Sequence, residues 1–492
     1  MTNNALYYCE HQYGSGKTSA WLDHCATRAR LRNQCIVYPT RALLREKLAL
    51  FRAMGEQRAS GLRISAITSD ISGSVINDLV AFFNGSGTGE GRVLFMTHQA
   101  WLELPHLHHA EEWEFCFDDC AITPFVDVSL DLADQHQLLT SVLEPADPSA
   151  AHSPLRVREG RAGRLQEMAA NRDGDAVLEV VARVARAMAR PDGWAGVWCN
   201  VENWRRVLAG AVRGESEEDR AKRRTLFLQA EINPRRFTST ARTTFLRTRW
   251  TGTLMHLNTV RNHGIRFEAH PDVRPAGRAY LGSGLRILHY QEPIFSKHNR
   301  DQPVANGPTR FEQFQRHIEA IHDGRRYGVV MNNDKRRAGV EFRGAEAIPP
   351  ECAGQEGFAE LTSIAAPIAL RHSSAMMGFL HDRGITSQEA NDDLYAEGIA
   401  QIIMRSAARR QGFAGEITAH VMDAWVAGRL LERFPLATAE HVPGVVTPVT
   451  RERRSDGARP GRPRQHASGA ARTAACRARQ RARQLAVQQA AA

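Results

Sequence analysis

Near the start of the chain, the run Gly14-Ser15-Gly16-Lys17-Thr18 has the residue types that hold phosphate groups. Glycines allow backbone N–H groups to turn inward around an anion, a lysine reaches the outer phosphates, and a threonine hydroxyl holds Mg²⁺. ALYYCE before the run is predicted to form a strand, and SAWLDHCATRAR after it a helix whose N-terminus would face the phosphates. The common form of this motif has a glycine where this chain has His11, so a flexible turn of the same composition is the alternative. We predict a nucleotide site formed by Gly14, Ser15, Gly16, Lys17, Thr18 and Ser19, with Thr18 as a ligand of Mg²⁺.

A second candidate is the acidic pair Asp118-Asp119, which directly follows the apolar run 113–117. A strand that ends in an acid is what enzymes hydrolysing nucleoside triphosphates use to hold Mg²⁺. We predict that Asp118 holds the metal, directly or through water, and that Asp119 orients and polarises the attacking water. A helix cap or a solvated turn is the alternative, but the position of Asp118, 100 residues after Thr18 and beyond several predicted strands, favours the metal site.

The C-terminal segment, 451–492, carries most of the positive charge of the chain. It holds eleven arginines and two acids, a net charge of +9 out of +10 for the whole chain. ARPGRPRQ at 458–465 contains the Gly-Arg-Pro core of an AT-hook, a peptide that lies in the narrow minor groove of A·T-rich DNA. We predict a disordered or conditionally helical tail that contacts DNA through Arg462, Pro463 and Arg464. A nonspecific polybasic tail is the alternative, and both interpretations favour nucleic acid as a partner.

The elements that position these residues alternate between strands and helices. Short strands rich in β-branched and aromatic residues are predicted at 33–40, 62–68, 92–97 and 113–118, and leucines at helical spacing predict a helix over 41–54. This alternation is typical of an α/β fold with a parallel sheet.

The middle of the chain has a different composition. Residues 126–222 are rich in Ala, Arg, Asp and Glu, and 175–190 has the pattern of an amphipathic helix, so we predict a helical insertion there, with an extended connection as the alternative. Strands return at 285–290 and 327–332, separated by a helical stretch at 310–323. The predicted domains are therefore 1–255, with the insertion, then 256–450, and then the basic tail 451–492.

Taken together, five runs resemble the motifs of superfamily 2 helicases of the DEAD/DEAH-box type, in a divergent form of the bacterial phage or plasmid kind. The runs are YGSGKT at 13–18 (motif I, which has no earlier glycine), IVYPTRALLREK at 36–47 (motif Ia), VLFMTHQAWL at 93–102 (a strand ending in threonine), FDDC at 117–120 (the DEAD/DEAH box) and QIIMRSAARR at 401–410 (motif VI). Asp119 replaces the glutamate of the box. Met404 replaces the glycine of motif VI, and Arg409 lies one place later than the last arginine of that motif.

The resemblance implies two RecA-like domains that bind ATP and Mg²⁺ in the cleft between them. It implies catalytic roles for Lys17, Asp118, Asp119, Gln401, Arg405 and Arg409, and contacts with the nucleic-acid backbone for Pro39, Thr40, Arg41 and Thr97. Arg405 or Arg409 would be the arginine finger. By the residues alone, 401–410 also fits an amphipathic surface helix.

Three further motifs of the family are placed by order along the chain. The segment that couples hydrolysis to movement is expected at 237–241 or, preferably, at 249–253. Motif IV is expected at 331–334, and motif V at 352–363 with Gly354, Gly357 and Thr362 near backbone phosphates.

Composition excludes some classes of protein. No apolar run approaches the roughly 18–20 residues of a membrane span, and the N-terminus has no signal-peptide pattern. The eight cysteines include no Cys-x-x-Cys pair, which argues against a structural zinc site and favours reduced thiols in the cytoplasm.

The sequence therefore predicts an ATP-dependent helicase or translocase that acts on DNA, single- or double-stranded, with RNA also possible. Two alternatives remain at this stage. One is a P-loop ATPase that acts as a DNA clamp or loader without unwinding, because Asp119 and Met404 fit weakened hydrolysis. The other is a catalytically degenerate DNA-binding protein.

Overall fold

The computed structural model describes most of the chain up to residue 447. The described residues are 6–58, 61–85, 91–118, 123–128, 130–131, 136–172, 174–190, 194–209, 225–275, 277–291, 295–304, 307–350, 357–410 and 412–447. Asp119 and the predicted DNA contacts Arg462, Pro463 and Arg464 lie outside the described residues. In the described part, no helix has the length and apolar character needed to cross a membrane.

Strands and helices alternate along the chain. The strands are β1 Leu6–Glu10, β2 Asn33–Tyr38, β3 Arg63–Ala66, β4 Arg92–Thr97, β5 Trp113–Asp118, β6 Phe125–Asp127, β7 Leu130–Asp131, β8 Leu143–Pro145, β9 His152–Val157, β10 Trp194–Asn200, β11 Thr225–Leu226, β12 Leu228–Ile232, β13 Arg242–Arg247, β14 Phe267–Ala269, β15 Leu285–Gln291, β16 Tyr327–Val329, β17 Ala345–Ala347, β18 Ser363–Ala366, β19 Ile417–Asp423 and β20 Thr438–His441. The helices are α1 Lys17–Arg28, α2 Arg41–Arg58, α3 Val75–Asn84, α4 His98–Glu103, α5 His136–Thr140, α6 Ala162–Ala170, α7 Ala176–Ala189, α8 Val201–Ala209, α9 Arg235–Thr238, α10 Leu254–His263, α11 Lys297–Asp301, α12 Arg310–His322, α13 Asn333–Arg337, α14 Ser374–Asp382, α15 Ser387–Asn391, α16 Glu397–Ile403 and α17 Ala424–Arg433.

The first domain is built on a parallel sheet. Within the described residues it has seven strands in the order β14-β1-β13-β5-β2-β4-β3. Each neighbouring pair is parallel. All residues of β2 and β5 are buried, as expected of strands that are covered on both faces. The predicted parallel α/β fold is confirmed for this domain, and the predicted helix over 41–54 is found as α2.

Side chains of these strands alternate between two cores, one on each face of the sheet. Cys35 and Val37 pack with residues of α3, α4 and α10 on one face. Ile36 and Tyr38 pack with residues of α1 and α2 on the other. The period of two along β2 thus gives the sheet a layer of helices on each side.

The insertion between β5 and β13 is a mixed α/β unit, so the prediction of a helical insertion at 126–222 is wrong in part. The predicted helix at 175–190 is present as α7. Helices α5 to α8 accompany an antiparallel sheet, in the order β6-β12-β10-β9-β8, and the strand pair β7-β11. Burial alternates along β9 and β10. Such short, half-buried strands are difficult to predict in a segment rich in Ala and Arg, because that composition favours helix.

The second domain has its own parallel sheet, which confirms the prediction of a second α/β unit. Its described strands run in the order β17-β16-β18-β19-β15-β20, all with parallel neighbours. The predicted strands at 285–290 and 327–332 are β15 and β16, and the predicted helix at 310–323 is α12. Thr309 and Glu312 form a reciprocal capping box at the start of α12. The two domains lie in one compact unit, Met1–Thr447.

The first domain extends beyond the predicted boundary at residue 255. Helix α10 and strand β14 follow that point, and β14 pairs with β1, with Leu6 opposite Phe267. The pairing of segments so distant in sequence has no local signal, so the sequence placed the boundary too early. The connection to the second domain is the segment between β14 and β15, which we call the linker (residues 270–284).

Of the cysteines in the described residues, Cys9, Cys25, Cys35, Cys116 and Cys199 are buried free thiols. Cys120, Cys352 and Cys476 lie outside the described residues.

Candidate functional site

The predicted phosphate-binding loop joins β1 to α1. Gly14 and Gly16 have φ angles of 72° and 80°, in the left-handed region that residues with a side chain rarely adopt. Gly16 caps α1, whose first residue is Lys17. The loop therefore ends on the N-terminus of a twelve-residue helix, where free backbone N–H groups and the helix dipole favour an anion.

Lys17 points its ammonium group into this loop. Nζ donates to the carbonyl oxygens of His11 at 2.9 Å and Gln12 at 3.2 Å, and to the Thr248 hydroxyl at 3.1 Å. Thr248 directly follows β13, the strand that lies between β1 and β5. The sheet order thus brings a residue 231 positions away into contact with the loop lysine.

Thr18 and Asp118 meet at the carboxyl edge of the same sheet. The Thr18 hydroxyl donates to Asp118 Oδ1 at 3.2 Å, and Asp118 is buried at the end of β5. A hydroxyl and a carboxylate this close can occupy neighbouring positions around one Mg²⁺ ion, which prefers hard oxygen ligands and octahedral geometry. The donor set fits Mg²⁺ beside a phosphate group.

The linker lies against the outer side of the loop. Gly277 N donates to Ser15 O at 2.9 Å, and Tyr280 N donates to Tyr13 O at 2.8 Å. A Cβ atom on Gly277 would lie 2.6 Å from Ser15 O, so only glycine fits at that position. The main chain that leads to the second domain therefore supports the phosphate loop directly.

Residues of the second domain reach the same place. One cavity of about 270 Å³ is lined from the first domain by Tyr13, Gly14, Gly16, Lys17, Thr18, Ser19, Leu43, Lys47, Asp118 and Thr248, and from the second by Gln401, Met404, Arg405 and Arg409. Arg405 is buried, and α16, which carries Gln401, has most of its residues in the core. The segment 401–410 is therefore not an amphipathic surface helix. Of the predicted catalytic residues, only Asp119 is outside the described residues.

Five residues of this cavity were not predicted as site residues: Tyr13, Leu43, Lys47, Thr248 and Met404. Leu43 and Lys47 are on α2, four positions apart, so they share one helix face. That spacing was readable in the sequence, but which face of α2 meets the cavity depends on how the helix packs. Thr248 lies one residue before the preferred coupling segment 249–253.

The predicted nucleic-acid contacts of the first domain lie together at the carboxyl edge of the sheet. Strands β2 and β4 are neighbours, with Tyr38 opposite Thr97. Pro39, Thr40 and Arg41 continue from β2, and the Thr40 and Thr97 hydroxyls accept hydrogen bonds from the first turns of α2 and α4. Arg41 is exposed and forms an ion pair with Asp70. The structure thus gathers these four residues on one accessible edge.

The structure separates the alternatives for the remaining motifs. Residues 237–241 precede β13 and lie at its amino end, whereas 249–253 follow it on the side of Lys17. Residues 331–334 follow β16, as expected for motif IV. Gly354 lies outside the described residues, and Thr362 directly precedes β18, so the placement of motif V at 352–363 stays a prediction. The order of motifs along the chain does not report which end of a strand a residue occupies.

Ion pairs join the two domains outside the cavity. Glu231 of β12 is buried and accepts hydrogen bonds from His263 at 2.6 Å, Arg383 at 2.7 Å and Asn258 at 2.9 Å. Arg383 belongs to the second domain, whereas His263 and Asn258 belong to α10 of the first. Burial raises the pKa of Glu231, but these hydrogen bonds and the charge of Arg383 outweigh burial and hold it below its ordinary value. The insertion strand therefore anchors both domains.

Comparisons with known proteins find similarity among solved structures only: no protein-family model and no curated protein matches the chain. It is similar to S. cerevisiae Dbp5 bound to RNA and ADP BeF3, at 11% identity over 89% of this chain and 85% of that chain, with a TM-score of 0.36. It is similar to Mss116p bound to ssRNA and AMP-PNP, at 9% identity over 90% of this chain and 72% of that chain, with a TM-score of 0.37. For the DUF1998 helicase MrfA bound to DNA and AMPPNP, the values are 8% identity, 89% of this chain, 50% of that chain and a TM-score of 0.32.

Proposed function

We propose that this protein is an ATP-dependent helicase or translocase that hydrolyses ATP between its two α/β domains while bound to nucleic acid. The observation that carries the proposal is a cavity to which both domains contribute. Lys17 and Asp118 line the cavity from the first domain, and Arg405 lines it from the second. A nucleotide that contacts both sides binds the closed arrangement more tightly than an open one, so binding and hydrolysis can drive closing and opening of the cleft.

Each residue of the cavity has a role in this proposal. Backbone N–H groups of 14–19 hold the phosphates, and Lys17 contacts the outer ones. Thr18 and Asp118 would hold Mg²⁺, which neutralises charge on the phosphate oxygens when it is bound. Asp119 would orient and polarise the attacking water. Gln401 faces the nucleotide from the second domain, and Arg405 or Arg409 stabilises the charge of the transferring phosphoryl group.

Nucleic acid would bind along the carboxyl edge of the first sheet, through Pro39, Thr40, Arg41 and Thr97. The accessibility of Arg41 and the common edge of β2 and β4 support this. The tail would add contacts to DNA through Arg462, Pro463 and Arg464, with RNA as a second possible partner. Its charge of +9 supports binding to a polyanion.

A clamp or loader that uses ATP without unwinding is the second candidate. The buried ion pair between Glu231 and Arg383 favours it, because a charge pair of this kind opposes separation of the two domains. Such a protein would hydrolyse ATP but would not displace a strand.

An ATPase assay with single-stranded DNA, duplex DNA and RNA, combined with a strand-displacement assay, tests the proposal. We expect hydrolysis that nucleic acid stimulates, together with displacement or directional movement. Hydrolysis without displacement or movement selects the clamp. No hydrolysis under any condition, with DNA binding retained, means that the protein is a degenerate DNA-binding protein and that the proposal is wrong.

A further inference from the structure

Glu397 is a buried carboxylate at the start of α16, the helix that carries Gln401. Its Oε1 accepts a hydrogen bond from Gln401 Nε2 at 3.0 Å. Its Oε2 accepts one from the Tyr13 hydroxyl at 2.7 Å and another from Arg433 Nε at 3.3 Å. Both carboxylate oxygens are therefore engaged, and their donors come from the phosphate loop, α16 and α17.

The surroundings keep Glu397 ionised. Burial raises the pKa of a carboxyl, but the charges of Arg247 and Arg433 and the hydrogen bonds from Tyr13 and Gln401 outweigh it, so the pKa of Glu397 lies below its ordinary value. Burial and the nearby charge of Glu397 raise the pKa of Tyr13, so its hydroxyl stays protonated and donates. An ionised carboxylate can only accept hydrogen bonds.

The orientation of the Gln401 amide follows from that charge state. Because Glu397 only accepts, the NH₂ group of Gln401 must face it, and the carbonyl oxygen is left for other partners. Gln401 lines the cavity together with Lys17 and Thr18. One N–H of the amide is used by Glu397, and the carbonyl oxygen is the acceptor that this amide can offer there. Ionised phosphate oxygens of ATP cannot donate to it, whereas a water molecule can.

Tyr13 connects this arrangement to the phosphate loop. It directly precedes Gly14, and its ring packs on Phe434 of the second domain, with ring centroids 5.2 Å apart. Its hydrogen bond to Glu397 crosses between the domains, so the contact depends on their closed arrangement.

We propose that Glu397 is a positioning residue for ATP hydrolysis: it fixes Gln401 as a hydrogen-bond acceptor for the attacking water and joins it to the phosphate loop through Tyr13. This role rests on the proposed function. Glu397 is not among the residues that line the cavity, and it acts through Gln401.

Glu397→Gln is the main test, because it keeps the size of the side chain but allows the amide of Gln401 to turn over. We expect kcat for ATP hydrolysis to fall about tenfold, the effect of one hydrogen bond to a charged group. Affinity for a fluorescent ATP analogue is expected to change by less than about threefold, since the substitution leaves the contacts that bind the nucleotide in its ground state in place. Tyr13→Phe removes only the hydroxyl and is expected to lower kcat in the same direction. Glu416→Gln changes an exposed acid that forms an ion pair with Arg286. It is the matched control and is expected to keep wild-type kcat.

A double variant separates positioning from a merely structural role. If Glu397 acts through Gln401, then Glu397→Gln combined with Gln401→Met has the kcat of Gln401→Met alone. Additive losses, or wild-type kcat in Glu397→Gln and Tyr13→Phe, overturn the inference and leave the proposed function in place. A loss that disappears at a lower temperature, where thermal unfolding shows the variant to be fully folded, also overturns it. No ATP turnover by the wild-type full chain overturns both.

Discussion

The ammonium group of Lys17 lies among three oxygen acceptors, from His11, Gln12 and Thr248. A phosphate oxygen is a stronger acceptor than a carbonyl or a hydroxyl because it is charged. In the proposed function, nucleotide would take over these hydrogen bonds without a movement of α1, since Lys17 is the first residue of that helix. At this scale the chemistry depends on a few atoms whose positions are set by the loop glycines.

Lys17→Ala is expected to lower kcat/KM for ATP hydrolysis by at least about 100-fold, because it removes a cation aimed at developing phosphate charge. DNA binding through the tail should persist, which a fluorescence anisotropy titration can measure. Lys297→Ala, which removes an exposed lysine, is the matched control and should hydrolyse ATP normally. Wild-type kinetics in Lys17→Ala would mean that the loop binds no phosphate.

At the scale of elements, strand β12 contributes to the contact between the two domains. It lies between β6 and β10 in the sheet of the insertion and carries Glu231, whose partners come from β10, from α10 and from the end of α14. Arg261 of α10 and Glu389 of α15 add a second ion pair between the domains, and the hydrogen bond from Arg261 lowers the pKa of Glu389 to about 2. The insertion and α10 thus act together as an anchor for the second domain.

Glu231→Ala is expected to lower the free energy of unfolding by about 3 kcal/mol, because it leaves Arg383 without its buried partner. The depressed pKa of Glu231 predicts a pH dependence: this stability is fully present above the ordinary glutamate value of 4.5 and is lost as pH falls through the lower folded-state pKa. Urea titrations of wild type and variant should therefore converge in acid. Glu179→Ala, which removes an exposed acid of the insertion, is the control and should change stability little. A constant difference between wild type and Glu231→Ala down to acid pH would contradict this role.

In the molecule as a whole, charge is unevenly distributed. Residues 1–450 carry a net charge of +1, the difference between +10 for the chain and +9 for 451–492. In the proposed function, long-range attraction to nucleic acid would be a property of the tail, whereas the cleft and the edge of β2 and β4 hold the residues proposed for hydrolysis and strand contact. The two tasks are separable along the chain.

Deleting 451–492 is expected to flatten the dependence of DNA affinity on salt, because fewer counterions are released when fewer phosphates are contacted. Affinities measured at several salt concentrations give the slope. A chain with glutamine in place of the eleven tail arginines keeps the length and should behave like the deletion. An unchanged slope in either variant would exclude the tail from the interface.

The predictions from sequence were most complete where the contributing residues are neighbours along the chain. The strand, glycine loop and helix around Lys17 are read from local residue types, and so is the acid at the end of β5. Pro39, Thr40 and Arg41 were placed at a strand end for the same reason. Alternation of apolar residues, helical spacing and glycine positions are all short-range signals, which is why strands β1 to β5, β15 and β16 and helices α1, α2 and α12 were predicted close to their observed bounds.

Contacts between distant segments were decided only by the tertiary structure. Thr248 reaches Lys17 because β13 lies between β1 and β5, and Tyr13 reaches Glu397 across 384 residues because the two domains close on each other. The antiparallel sheet of the insertion and the pairing of β14 with β1 have the same origin. By itself, the sequence determined the glycine loop before α1, the acid at the end of β5 and the α/β class. Strand order, the domain boundary and the network around Glu397 depend on which surfaces pack against each other. This long-range packing produces no periodic pattern of residues from which it could be predicted.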